Sequence, residues 1–263
     1  MAYDPQDFDD EPRHRPWSKN ALRRTGESLT SGGPWPDNAP TFENVALWFE
    51  EVKGYVQALL YLEDWAAVLE TDSEPSITGR VKSDDTLREK LLRNASFPLP
   101  EVQDIAGVRF EADMTLNEQD VVVEKIRTLF QPRGWACDVV DYRTDVGQGA
   151  YRAIHVRLKR QKDGARVEVQ VRTRLQGLWS NVYELLSDQL GRGIRYGELP
   201  GNPADREMVQ EWQGLSVELI QAIEDLQGSL SEPYRAESDR LRAEVTELLR
   251  KTLERLDPQP RQL

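Results

Sequence analysis

Three stretches of the chain carry residues whose types and spacing could do chemistry. From Arg166 to Arg172, Val167, Val169 and Val171 face one way and Glu168, Gln170 and Arg172 the other, the period-two pattern of a strand. From Tyr151 to Lys159, Ile154, Val156 and Leu158 suit a buried face, while Tyr151, Ala153, His155 and Arg157 share the other parity. Lys162-Asp163-Gly164-Ala165 lies between them and reads as a turn, because Asp-Gly tolerates positive φ. A hairpin built this way gathers one aromatic, one histidine, one carboxylate, one amide and two arginines on a single sheet face. That inventory makes a candidate site; the competing reading is a solvated outer face. Upstream, residues 77–93 hold five basic residues (Arg80, Lys82, Arg88, Lys90, Arg93) against three acids (Asp84, Asp85, Glu89). Alone, such a segment is a solvated face with ion pairs. Beside a second site it reads as a triphosphate cradle, since arginine forks and lysine point charges are what phosphate oxygens need.

The elements that must position these groups follow from the pattern. Residues 1–16 are polar and acid-rich and are expected to be disordered. Ser18 caps a short helix, and residues 30–40 read as a linker. Thr41 opens a long helix whose Val45, Trp48, Val52, Tyr55 or Val56, Leu59 and Leu62 fall at three- and four-residue steps, a core-facing stripe. Residues 76–82 form a short strand with Arg80 and Lys82 on one face. Ser83 caps the next helix, with Asp84 and Asp85 at its positive end and Thr86, Lys90 and Arg93 along one side. Residues 106–113 are a strand preceded by Asp104 in a turn. Thr115 and Glu118 make a capping box for a helix to about Phe130. Residues 135–142 are a strand, and 174–190 a helix ended by Gly191. Beyond a Pro-containing loop, two amphipathic helices, 205–229 and 234–256, are split by Pro233. They suit packing as a hairpin on the core or on a second subunit. The order predicts an α+β fold, a mixed sheet flanked by helices, with N- and C-terminal helical extensions. The divisions are a tail over 1–40, a central domain over 41–191, a helical hairpin over 192–256 and a tail over 257–263.

Composition narrows the function. The 263 residues carry 34 Lys and Arg against 46 Asp and Glu, a formal charge of −12. That balance argues against broad nucleic-acid binding, which depends on neutralising phosphates. One cysteine, Cys137, allows no intrachain disulfide and no cysteine-built zinc site, as suits a cytoplasmic protein. No apolar run approaches a membrane span, and the acidic N-terminus does not read as a signal peptide.

Four stretches, in order over about half the chain, together resemble the RelA/SpoT synthetase domain: Gly79-Arg80-Val81-Lys82, Asp104-Ile105-Ala106-Gly107-Val108-Arg109, Tyr151-Arg152-Ala153-Ile154-His155 and Glu168-Val169-Gln170-Val171-Arg172-Thr173. The resemblance implies a nucleotidyltransferase-like fold and transfer of the β,γ-pyrophosphate of ATP to the 3′-hydroxyl of GDP or GTP, giving (p)ppGpp and AMP. It implies Mg²⁺ held by Asp104 and Glu168, with Glu168 also orienting or activating the attacking hydroxyl. By the same resemblance Arg80, Lys82, Thr86, Lys90 and Arg109 bind ATP, Arg80 and Arg109 stacking on the adenine. Tyr151 stacks on the acceptor guanine, and His155 and Gln170 line the acceptor side. Only two histidines, His14 and His155, leave no material for the family's histidine-rich hydrolase site, which implies a single synthetase activity of the small alarmone synthetase type. Where the family pattern has a lysine, a glycine, a Glu-His pair and a Tyr-Lys pair, this chain has Gly147, Ala150, Tyr183-Glu184 and Asp188-Gln189. Those departures fall on the acceptor half. The alternatives are a toxic relative that modifies the tRNA 3′ end or makes adenosine alarmones, with tRNA or an antitoxin as partner, and an inactive nucleotide-binding regulator. The C-terminal helices are where a homo-oligomer would form.

Overall fold

A computed structural model describes residues 11–32, 35–70, 74–94, 97–143, 150–227 and 232–256. Its centre is a mixed five-stranded sheet in the order β1-β2-β5-β4-β3, with β1 Ser76–Val81, β2 Ala106–Ala112, β3 Trp135–Asp141, β4 Ile154–Arg160 and β5 Arg166–Thr173. β2 and β5 run parallel and the other pairs antiparallel. One face is covered by α2 (Phe42–Leu62) and α4 (Leu116–Phe130). Both helices start where the sequence signals them: Thr41 accepts from Asn44 N, and Thr115 and Glu118 form a full capping box. Val45, Val52, Val56 and Leu59 of α2 are fully buried against Val108, Phe110, Val167, Val169 and Val171. At roughly 1.5–3 kcal/mol per buried aliphatic side chain, this apolar layer is the main support of the sheet.

The opposite face is covered by α5 (Arg174–Leu190), which follows β5 directly through a second capping box, Thr173 with Gln176. α5 shares a separate core with the C-terminal helices, in which Leu175, Trp179, Val182, Tyr183 and Leu186 pack with Val209, Ile220, Ile223, Val245 and Leu249. Those helices are α6 (Pro203–Gly214), a π-turn (Leu215–Ile220), α7 (Gln221–Gln227) and α8 (Glu232–Leu256). On the N-terminal side, α1 (Lys19–Ser31) is capped by Ser18 and contacts α3 (Asp84–Arg93), which Ser83 caps.

Four expectations change. Residues 11–16 are ordered: the carbonyls of Pro12 and Arg13 accept from Arg160, and Arg15 N donates to Asp163. Arg160 and Asp163, 1% and 0% exposed, pair at 2.6 Å beneath them, so a buried charge pair holds the strap. The expectation for residues 1–10 lies outside the described residues. β4 begins at Ile154, so Tyr151 and Ala153 precede the ladder. The 205–229 helix is a continuous helical run from 203 to 227 interrupted by the π-turn. Pro233 sits in the first turn of α8, where proline loses no intrahelical hydrogen bond.

Candidate active site

The sheet register collects the polar groups. Opposed residues put Arg80, Gly107, Glu168 and Arg157 in one row across β1, β2, β5 and β4, and Thr78, Arg109, Gln170 and His155 in the next. Directly opposed residues project to the same side of a sheet. This side faces α5, so the polar parity of the hairpin is covered: Glu168 is 6%, His155 8% and Arg172 2% exposed. The solvated-face reading of the hairpin fails for these three residues.

Beyond the edge of α5 a cavity of about 230 Å³ opens, lined by Thr78, Gly79, Arg80, Lys82, Asp104, Gly107, Arg109, Glu168 and Gln170. The register supplies Gly107 beside Glu168, so no side chain blocks the carboxylate from that strand. Asp104 meets Lys90 at 2.6 Å and Lys82 at 3.2 Å. Burial works against its charge, but the two ammonium groups outweigh burial and hold the carboxyl below its ordinary value. Glu168 is also held low: burial opposes ionisation, and the neighbouring His155 ring outweighs it, while the charge of Asp104 pushes the other way. His155 Nδ1 lies 3.1 Å from Glu168 Oε1, close enough for an ion pair but not aligned as a hydrogen bond. Two ionised carboxylates that face one cavity and repel each other form a hard-oxygen donor set. Among the described residues no group of three or more His, Cys, Asp or Glu gathers around a point. Such a pair could hold a cation only with further ligands from water and substrate.

Of the residues that the resemblance gives to the acceptor side, Gln170 on β5 lines this cavity, while His155 on β4 and Tyr151 just before it do not. Tyr151 Oη is 2.9 Å from His155 Nε2 and accepts from Arg172 Nη2 at 3.0 Å. Arg172 also donates to Gln170 Oε1 at 2.7 Å and reaches Glu111 at 3.4 Å. Burial pushes the Tyr151 phenol up, against the pull of Arg172, so the ring is neutral at physiological pH. Thr86 is apart from the cavity: its hydroxyl pairs with Ser83 Oγ at 3.0 Å in the first turn of α3. A larger and more open depression, about 480 Å³, lies between Trp35, Phe42, Glu50 and Lys82. It contains neither Asp104 nor Glu168, so the smaller cavity is where the chemistry-bearing groups meet.

Two departures from the family pattern acquire a structural account. Tyr183 points away from the cavity, stacked on Trp179 with ring centroids 4.7 Å apart and its hydroxyl donating to Ile194 O. Glu184, the next residue, points toward the cavity and pairs with Arg109 at 2.9 Å. Burial disfavours its charge, yet Arg109, Arg80, Arg172 and Arg195 together hold its carboxyl low. Sequence reasoning did not assign Glu184 to the site. The signal available was its place in the family pattern, where Glu184 stands at the Glu-His pair. At Gly177 a Cβ would lie 2.6 Å from the Glu111 carboxylate, so both positions mark where α5 crosses β2. At Ala150, where the pattern has glycine, φ is 59°, a left-handed geometry that glycine adopts freely and alanine does not. Gly147 lies outside the described residues.

Residues 79–184 match a family described as a region found in RelA and SpoT proteins. An uncharacterised protein of Mycobacterium tuberculosis is 43% identical over 188 residues, and the aligned part covers 70% of this chain and 64% of that protein. The match thus spans a little under two thirds of the relative's length. The small alarmone synthetase 2 of Bacillus subtilis superposes with a TM-score of 0.56 at 18% identity, covering 70% of this chain and 94% of that one. The small alarmone synthetase 1 of the same organism, solved bound to its product pppGpp, gives 0.56 at 22% identity, covering 72% and 97%. At these identities the two structures speak to the fold.

Proposed function

We propose, from the match of residues 79–184 to the region found in RelA and SpoT proteins, that the chain is an ATP-dependent pyrophosphotransferase with GDP or GTP as acceptor. The observation that carries the proposal is the convergence of Lys82 and Lys90 on Asp104 in the cavity that also holds Glu168, Arg80 and Arg109. Without a nucleotide the two lysines neutralise a carboxylate. A triphosphate entering the cavity offers them phosphate oxygens and frees Asp104 to ligate a cation. The small alarmone synthetase 1 of Bacillus subtilis carries pppGpp as its product on this fold, which supports a guanosine acceptor here.

In this reading Arg80, Lys82, Lys90 and Arg109 hold the ATP phosphates and base, and Thr86 supports the α3 turn from which Lys90 extends. Asp104 and Glu168 would hold Mg²⁺, which would supply positive charge to offset that of the phosphates. Tyr151 provides the face on which the acceptor base stacks, and Gln170 and His155 border the acceptor sugar and phosphates. Glu168 accepts the proton of the acceptor 3′-hydroxyl as that oxygen bonds to the β-phosphorus of ATP. The bond from that phosphorus to the α,β-bridging oxygen breaks, AMP leaves with the electron pair, and Glu168 returns its proton to solvent. Positioning and charge do most of the work in such transfers.

The test is an acceptor panel: purified protein, Mg²⁺ and γ-labelled ATP, with GDP, GTP, GMP, ADP, no acceptor or deacylated tRNA. The proposal expects label on GDP or GTP. Label on tRNA or on adenosine nucleotides would replace the acceptor, and ATP binding without any transfer would replace the enzyme by a nucleotide-binding regulator.

A further inference from the structure

The segment that carries Tyr151 into β4 is gripped on both sides by the C-terminal helices. On one side is Ala150, which among the described residues is the one non-glycine with positive φ. An alanine holds such a geometry only where its surroundings over-determine it. Ser216, inside the π-turn, donates from Oγ to the Ala150 carbonyl at 2.7 Å, and both residues are buried. The Ala150 side chain belongs to the second core, with Trp179 and Ile220.

On the other side is Arg152. Its Nη2 donates to Glu224 Oε2 at 3.0 Å, with the side chains 2% and 1% exposed. Glu224 Oε1 accepts from Thr173 Oγ1 at 2.6 Å and from Gln176 Nε2 at 3.0 Å, the capping pair of α5. The Nε and Nη1 of Arg152 are buried without an acceptor among the described residues, so Glu224 is what holds this guanidinium.

Ser216 and Glu224 reach residues 150 and 152 from one helical run. In an unbroken α-helix, eight residues would turn the second about 80° away from the first. The wider turn over 215–220 advances less per residue and brings them toward one face. Turns of this kind inside helices recur at functional sites.

We propose that Ser216 and Glu224 are positioning residues of the acceptor site, and that the helical run 203–227 fixes the backbone on which Tyr151 is presented. The functional part rests on the pyrophosphotransferase reading; the mechanical part does not. The C-terminal helices are then a component of the acceptor half, and loosening them leaves the ATP half on β1, α3 and β2 intact.

The experiment uses the full chain and three variants: Ser216→Ala, Glu224→Gln and Ala150→Gly combined with Ser216→Ala. Ser216→Ala and Glu224→Gln are expected to raise the acceptor KM about tenfold with the ATP KM changed by less than about twofold. Amide exchange is expected to accelerate over 150–153 and not over 76–93. Ala150→Gly in the Ser216→Ala background recovers most of the loss, because glycine takes the required φ without the bond from Ser216. If Ser216→Ala fails to fold, Glu224→Gln carries both readouts. An equal rise in both KM values, unchanged exchange over 150–153 or absence of rescue overturns the proposal. If the wild type transfers pyrophosphate to no acceptor, the functional reading fails, and the exchange comparison alone upholds or overturns the grip.

Discussion

Replacing Glu168 by glutamine removes a charge and almost nothing else. The side chain is 8% exposed, 3.1 Å from His155 Nδ1 and accepting from Gln170 Nε2 at 3.2 Å. Glutamine has the same shape, so the packing persists. On the proposed function, what is lost is the proton acceptor and one of the two carboxylate charges facing the cavity. A positioned base contributes roughly 10²–10⁴ in rate, about 2.7–5.4 kcal/mol of barrier at 1.36 kcal/mol per decade. Arg80, Lys82, Lys90 and Arg109, which the proposal gives to ATP, are untouched. Thermal stability changes little: the fold favours the ionised carboxyl, but the amide also ends its repulsion with Asp104. The assay is steady-state transfer with both KM values, beside ATP titration calorimetry and a melting curve. The expected result is a kcat reduced at least about 100-fold, with the ATP Kd within about threefold. A kcat within about tenfold of wild type in a well-folded Glu168→Gln protein would refute the role given to this residue.

Other perturbations have expected outcomes too. Tyr151→Ala removes the stacking face, worth roughly 1–3 kcal/mol per base, and should raise the acceptor KM about tenfold or more or abolish transfer; an unchanged acceptor KM would move the base platform elsewhere. Gly177→Ala places a Cβ against the end of the flexible Glu111 side chain, which can swing aside, so stability in a denaturant titration should change by less than about 1 kcal/mol; a larger loss would mean that the Glu111–Arg172 contact cannot be spared. Asp163→Asn leaves Arg160 buried without its charge partner and should cost about 3–5 kcal/mol. Asp163 also sets an acid limit: burial opposes its charge, but Arg160 and the Arg15 and Ala165 amides outweigh burial and hold the carboxyl below 3.8. Its contribution is therefore fully present above about pH 4 and is lost as pH falls through the lower folded value. Wild-type stability should fall more steeply than that of Asp163→Asn in that window, and parallel curves would exclude the effect.

What sequence could show was local. The valine alternation of β5, the capping box at Thr115, the N-cap at Thr41 and the termination of α5 at Gly191 each depend on a few neighbouring residues. The sheet and its helical layers followed from them. The site was legible where strand parity sufficed: Arg80 with Lys82, and Glu168 with Gln170. The remainder depends on contacts far apart in the chain. Residues 150–153 alternate like a strand, yet Ser216 and Glu224 draw their flanks toward the second core and start β4 late. Residues 11–16 are polar, and what pins them is a pair of main-chain carbonyls meeting Arg160, which leaves no mark in the pattern of side chains. Glu184 stands where the family motif has a histidine, and only the crossing of α5 over β2 reveals that it faces Arg109. Alternation fixed the polar parity of the hairpin but could not say that α5 would cover it.

The proposed reaction moves pyrophosphate, rather than a single phosphoryl group, from ATP to a guanosine nucleotide. The most direct measurement is product stoichiometry: incubate the protein with Mg²⁺, ATP and GDP, and quantify AMP, ADP and the guanosine products by chromatography over time. AMP is expected one for one with a guanosine nucleotide carrying two additional phosphates, with none when GDP is omitted. ADP as the matching product, AMP without a guanosine product, or no turnover in a protein that binds ATP would contradict the proposal.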